Sequence, residues 1–280
     1  MISKKIVKQS KIFNISSKYA FSCNNTDPSY LSDVTFSIPN FISNSQGIED
    51  LYVSVEHCEI PISFYLINEY NNIIAVNGTL YTIPSGNYNY ATLSNALVTL
   101  LGSNYSFSIN KATDKITMVN FVSDFSISST LSTCRSILGF SKTGVMYSSN
   151  KTLAFPYPIN LLPLPRLLIK CPELSLDNFQ SSDNSNDVLL SLQNNGGFGQ
   201  MIMYDNSSSL SYYLGDVDQL NMLNIKISDD DGKLINFNNV HWYITLRIDY
   251  SYTISKTDVS FESIILSSVE HLKNKLISEN

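Results

Sequence analysis

The chain has 280 residues, 43% of them hydrophobic and only 15% charged, with 17 Tyr and 14 Phe, which is ample material for a core under a surface that relies on Ser, Asn and Thr. A formal charge of −6 and an isoelectric point near 5.0 exclude a dedicated nucleic-acid binder, which needs many clustered Lys and Arg. No apolar run approaches the ~20 residues of a membrane span, and the start MISKKIVKQSKIFNIS has no signal-peptide core.

The first 30 residues read as a basic arm, because Lys4, Lys5, Lys8, Lys11 and Lys18 all precede the first acidic residue, Asp27. A solvated, disordered terminus is the plain reading; contact with acidic protein, membrane or packaged nucleic acid is the alternative. From Val34 the dominant signal is period-two alternation of β-branched and aromatic residues. DVTFSIP puts Val34, Phe36 and Ile38 on one face, and DLYVSVEHCEIP does the same with Leu51, Val53 and Val55. Further strands are expected at Phe64 to Ile67, Ile73 to Val76, Leu80 to Ile83, Tyr105 to Ile109, Ile116 to Val119 and Phe125 to Ser128. Later ones are expected at Arg166 to Cys171, Phe198 to Tyr204, Met222 to Ser228 and Trp242 to Tyr250. Many short strands with turns between them indicate a sandwich or barrel.

Two helices interrupt the pattern. ATLSNALVTLLG places Leu93, Ala96, Leu97, Leu100 and Leu101 at helical spacing, with Asn89 as N-cap and Gly102 as stop. LSTCRSILGF is shorter, with Leu131, Cys134 and Leu138 on one side and Gly139 as terminator. Five prolines between Pro156 and Pro172 forbid a long helix and favour an extended connection into the strand at Arg166. That connection reads as a domain boundary or, preferably, a long crossover within one sandwich. After Tyr252, Ile265, Val269, Leu272 and Leu276 recur at spacings of four, three and four, which is an amphipathic helix able to dock on its own domain or on a partner.

Asp229-Asp230-Asp231-Gly232 fails as a calcium loop, since the twelfth residue is Val240 and the glycine stands fourth instead of sixth; it fits a solvated hairpin turn. His57 and Cys58 are adjacent, but neighbours in a strand point to opposite faces unless the backbone bulges. The cysteines, Cys23, Cys58, Cys134 and Cys171, form no C-x-x-C pair. Two disulfides are arithmetically possible, yet buried thiols in a reducing compartment are the expectation. No phosphate loop, dinucleotide fingerprint, nucleophile elbow or zinc helix is present, so no enzyme, cofactor or metal is expected.

Several stretches together resemble the penton and minor capsid proteins of double-stranded DNA viruses and virus-like elements of the virophage, Polinton and giant-virus lineage. These are TIPSGNYNYATLSNAL from Thr82 to Leu97, Leu138-Gly139-Phe140, Pro158 to Leu161, and Leu167 to Leu174. The most specific is a D..G..I.FN...W..TL.I pattern met by Asp229 or Asp230, Gly232, Ile235, Phe237, Asn238, Trp242, Thr245, Leu246 and Ile248. Asn239 stands where the pattern has glycine, and Asn tolerates the left-handed region that such a turn needs.

The resemblance implies an all-β fold: a single jelly-roll β-sandwich with inserted short helices and a carboxyl-terminal amphipathic helix. It implies a basic arm over 1–30, the jelly-roll capsid domain over 31–252 and a tail helix over 253–280. The implied function is structural, a homopentameric penton at the fivefold vertices of an icosahedral virion, made in the host cytoplasm and contacting the major capsid protein and possible other minor capsid proteins. Lys4, Lys5, Lys8 and Lys11, with Ile265, Val269, Leu272 and Leu276, are the candidate interaction residues. The alternatives are another minor capsid or cement protein on the same fold, a jelly-roll carbohydrate-binding attachment module, or a glycoside-processing enzyme with two carboxylates flanking a cleft.

Overall fold

The structure is a computed structural model and describes residues 5–38, 48–140, 143–162, 164–174, 186–214 and 221–254. In chain order the first strands are β1 (Lys5–Ser16), β2 (Ser22–Cys23), β3 (Asp33–Ser37) and β4 (Ile48–Pro61). Then come β5 (Ile73–Val76), β6 (Thr79–Thr82), helix α1 (Tyr90–Leu101), β7 (Tyr105–Asn110), β8 (Lys115–Asn120), β9 (Ser126–Ser128), helix α2 (Arg135–Leu138), β10 (Val145–Tyr147) and β11 (Thr152–Pro158). The last are β12 (Arg166–Lys170), β13 (Val188–Gln193), β14 (Met201–Asp205), β15 (Tyr212–Tyr213), β16 (Met222–Ser228) and β17 (Tyr243–Ile254).

Residue contacts divide the chain into two units. One takes the chain up to Pro61, Arg166–Gln193 and the chain from Met201; the other takes Ile62–Pro165 and Asn194–Gln200. The proline-bearing segment therefore contains a unit boundary, between Pro165 and Arg166.

The first unit holds two antiparallel sheets. One has the order β1-β17-β4-β14, with β15 also pairing β4, and the other β13-β12-β16-β3-β2. Counting only the principal strands of this unit, the first, eighth, third and sixth form one sheet and the fifth, fourth, seventh and second the other, which is the strand order of a jelly roll. Most of the second unit is inserted between the third and fourth of these strands, and Asn194–Gln200 between the fifth and sixth. Each sheet turns its alternating apolar row inward: Val34 and Phe36 on β3 and Ile225 and Ile227 on β16, with Leu51, Val53 and Val55 on β4 and Ile244, Leu246 and Ile248 on β17, are all buried.

The first and last strands of the described residues, which sequence reading separated, are zipped together. β1 pairs antiparallel with β17 over its whole length, from Lys5 opposite Ile254 to Ser16 opposite Tyr243. This corrects the reading of residues 1–30 as a disordered arm. The basic stretch carries Val7, Phe13 and Ile15 on the inward face, half-buried, and the ladder to β17 satisfies one side of an edge strand that alternation alone did not reveal.

Trp242, the chain's only tryptophan, is fully buried at the start of β17. Its indole Nε1 donates to the Leu31 carbonyl at 2.8 Å, its backbone N–H donates to Ser17 Oγ at 3.2 Å, and its ring meets Phe36 edge-on with centroids 6.1 Å apart. Leu31 is a non-glycine residue at φ 55°, and the indole bond holds its carbonyl. The preceding turn is made by Asn238 and Asn239 at φ 50° and 62°, closed by Val240 N–H to the Phe237 carbonyl at 3.0 Å. Asn239 thus takes the left-handed backbone that the family pattern assigns to glycine.

The acidic turn folds as a hairpin whose first carboxylate is used by its own backbone. Asp229 Oδ1 accepts from the N–H groups of Asp231 at 2.9 Å and Lys233 at 2.8 Å, and Gly232 sits at φ 79°. The outgoing flank is shorter than expected, with only a bridge between Ser228 and Leu234. Other expectations shift as well. Phe64 to Ile67 is irregular apart from a bridge between Ile67 and Gly86. Strand β14 starts at Met201 because Gly199, at φ 82°, turns the chain just before it. The pattern over β10, β11 and β13 had not announced strands at all.

In the inserted unit, α1 carries both halves of a capping box at Asn89 and Thr92 and ends at Gly102. It buries Leu93 and Leu97 against a core that includes Ile74, Ile116, Met118, Ile127 and Phe155. An Asn77-Gly78 turn at φ 51° and 78° joins β5 to β6. Helix α2 has only four residues, and Leu131 is 53% exposed because the chain ahead of α2 is spent on bonds to β5: Ser132 Oγ accepts from Ala75 N–H at 2.9 Å and Thr133 Oγ1 from Ile73 N–H at 2.9 Å. Gly139 ends α2 at φ 79°, and a Cβ there would stand 2.3 Å from the Tyr157 carbonyl oxygen.

Two substitutions test this packing by urea unfolding followed by circular dichroism. Trp242→Phe leaves the buried Leu31 carbonyl without its donor and is expected to cost about 1–3 kcal/mol, with Trp242→Ala costing about 3–5 kcal/mol. Gly139→Ala combines a forbidden contact with a strained backbone, so it is expected to lower the stability of the inserted unit more than Gly144→Ala, which meets nothing within 4 Å.

Candidate assembly surfaces

Several charged side chains converge on the outer face of the β1-β17-β4-β14 sheet. A β-bulge decides which ones. In β4, Val55 stands opposite Leu246 but His57 opposite Thr245, so Glu56 is the extra residue and the inward row changes from odd to even positions. Val55 and Cys58 point in, while His57 and Glu59 point out.

On that outer face Arg247 Nε bonds Asp249 at 3.0 Å and its Nη1 lies 3.4 Å from Glu56. Thr245 Oγ1 donates to Asn14 Oδ1 at 2.9 Å, and the Ser10 hydroxyl donates to Asp249, so β1 is tied to β17 by side chains as well as backbone. His57 links two strands, with Nδ1 2.7 Å from Asp205 Oδ1 on β14 and Nε2 3.2 Å from Glu59 Oε1. The hydrogen bond to Asp205, followed by that to Glu59, raises the His57 pKa above its ordinary value.

The inward residues are chemically quiet. Burial pushes the Cys58 thiol up to about 12, and the same cause pushes Cys134 up to about 12 and Cys171 well above its ordinary value. These three are buried and free, and Cys23 is exposed. His57 and Cys58 lie on opposite faces, so the bulge does not make them a nucleophilic pair. A cavity of about 900 Å³ runs along β1, where Phe13, Ile15 and Ile244 stand near Phe36 and Ile38, with His57 and Glu59 also in its lining. Among the described residues no group of three or more His, Cys, Asp or Glu side chains is placed to hold a metal ion, and no helix is long and apolar enough to cross a membrane.

The residues singled out from sequence divide three ways. Lys8 and Lys11 are exposed on β1, on opposite faces of the sheet, with Lys11 Nζ 5.7 Å from the Tyr250 ring centroid. Lys5 opens β1. Lys4, Ile265, Val269, Leu272 and Leu276 lie outside the described residues. The His57 cluster was missed, since Asp205 is 148 residues away in sequence; the i, i+2 pair His57 and Glu59 was its only local trace. Exposed apolar side chains collect at both edges of this sheet: Ile6 and Ile12 on β1, Met201 and Met203 on β14.

No family model matches the sequence, and no curated protein matches it. Fifteen chains of solved structures match. One of these, described as the crystal structure of selenomethionine-labelled mavirus penton protein, is similar with a TM-score of 0.43 and 13% identity over 89% of this chain and 100% of that chain. The jelly-roll assignment rests on the strand order itself.

The His57 cluster has a pH signature. A histidine whose folded pKa is raised stabilises the fold fully below its unfolded value of ~6.5 and loses that contribution as pH rises through the folded value. Wild type is therefore expected to exceed His57→Gln in urea midpoint near pH ~5.5 and to match it by pH ~8.5. The imidazole is partly exposed, so solvent screening keeps the difference small.

Proposed function

We propose that this chain is a structural subunit of an icosahedral viral capsid, the penton that forms homopentamers at the fivefold vertices. The observation that supports this most is where the family-like pattern falls. Gly232 and Asn238 occupy left-handed backbone positions, and Ile235, Phe237, Trp242, Leu246 and Ile248 are buried in the last turns and the last strand of the jelly roll. These matched residues are thus ones that the fold itself needs, in the order the resemblance requires.

The surfaces support a role as a brick. Exposed apolar side chains sit at the edges of a rigid sheet, where a neighbour can cover them, while the buried thiols are held far from reactivity. In this reading the partners are further copies of the chain and the major capsid protein, the location is the virion, and the segment bearing Ile265, Val269, Leu272 and Leu276 ties neighbouring subunits together. Lys5, Lys8 and Lys11 act as part of a sheet edge instead of as a basic tail.

Light scattering coupled to size exclusion tests the proposal. A particle of five times the 31.4 kDa chain mass, with fivefold rings in negative stain, is expected. A stable monomer or dimer at tens of micromolar, a concentration far above the Kd of ordinary specific interfaces of ~1 μM or less, would contradict it.

A further inference from the structure

The two ends of the β1-β17-β4-β14 sheet are complementary to each other. Among the described residues β1 lies at one end and β14 at the other. Each neighbouring pair along the sheet is antiparallel, so β1 and β14 run in opposite directions. A second copy repeated in the plane of the sheet therefore brings its β1 antiparallel to the first copy's β14, the better hydrogen-bonded arrangement.

Charge follows the same polarity. Strand β1, KIVKQSKIFNIS, has three lysines and no acid; strand β14, MIMYD, has an acid and no lysine or arginine, and Glu59 stands opposite its Met203. Pairing β1 with β1 would set lysines against lysines. The exposed apolar residues agree: on the outer face β1 shows Ile6 at 59% and Ile12 at 63%, and β14 shows Met201 at 43% and Met203 at 56%. An edge this apolar is a hazard unless something covers it.

We propose that β1 of one copy packs antiparallel against β14 of the next, in the register that sets Lys8 opposite Asp205 and Ile12 opposite Met201. This register also puts Ser10 opposite Met203 and keeps Ile12, Lys8, Met201 and Asp205 on one face. The contact joins two different patches, so it is heterologous and closes into a ring when the rotation per copy allows. It rests on the pentamer reading above and names the surfaces that build it.

Disulfide trapping in the full chain tests the contact. In a Cys23→Ser background, Ile12→Cys and Met201→Cys are combined. Within one copy these positions are separated by at least three strand spacings, about 14 Å, beyond the ~7 Å limit for a disulfide, so any bond joins two copies. Oxidation is expected to give a ladder of covalent multimers ending at the pentamer, and each single cysteine variant is expected to stay a monomer on the same non-reducing gel.

Charge reversal is the second arm. Lys8→Glu and Asp205→Lys are each expected to raise the concentration needed for assembly about tenfold, and the two together are expected to restore it; circular dichroism checks that each variant folds. A pentamer that neither cross-links nor responds to charge reversal overturns this contact and leaves the capsid reading standing. Covalent dimers from Ile12→Cys alone overturn it too, because they place β1 against β1. A wild-type chain that stays monomeric throughout removes both the capsid reading and the contact.

Discussion

The fold depends on the antiparallel pairing of β17 with β1 on one side and β4 on the other. β1 and β4 come from the first quarter of the described chain and β17 from its end, so no local segment can form this sheet alone. The cost is loop closure over long sequence separations; the return is a ladder of twelve pairs between β1 and β17 and the burial of Ile244, Leu246 and Ile248. Trp242 stands at the head of that ladder and fixes it to β3 and to the strained Leu31. Once β17 is in place, β3, β16 and β12 have a surface to cover, and the second sheet follows.

A single extra residue, Glu56, then decides the chemistry of the surface. Without it the odd-numbered row would stay inward beyond Val55, burying His57 and Glu59 and exposing Cys58 and Ile60. With it, a histidine is placed between two carboxylates on the outer face while a thiol is sealed in the core. The outer face becomes a lattice of paired charges, with Tyr52 and Tyr243 exposed among them and aliphatic side chains exposed at the β1 and β14 edges. Such a surface resists random association through its middle and offers two defined places for a neighbour.

Much of this was legible in the sequence, for reasons that are local. Met222 to Ser228 alternates cleanly and is β16 to the residue; Asn89 and Gly102 bracket α1 because capping chemistry is written within a few positions; and the triple-aspartate turn was separable from a calcium loop by counting. What was hidden depends on partners. The β1 strand presents Ile6 and Ile12 outward and Gln9 and Lys11 inward, a pattern that is sensible only beside β17. Leu131 matched a helical stripe, yet Ser132 and Thr133 are committed to β5. The boundary after Pro165 could not be chosen from prolines alone, since a crossover and a unit junction need the same extended chain. His57 and Asp205 meet only because β14 pairs with β4.

Amide hydrogen exchange on the full chain tests the central pairing most directly, since the ladder of β17 sits between two others and should open only when the whole first unit does. The slowest exchange is expected at the hydrogen-bonded amides of β17 and of the part of β4 between Leu51 and Glu59, with Lys5–Ser16 protected nearly as well on its paired side. Exchange of β17 as fast as that of exposed loops, or a β1 with no protection at all, would contradict the jelly roll in which the two ends of the described chain close one sheet.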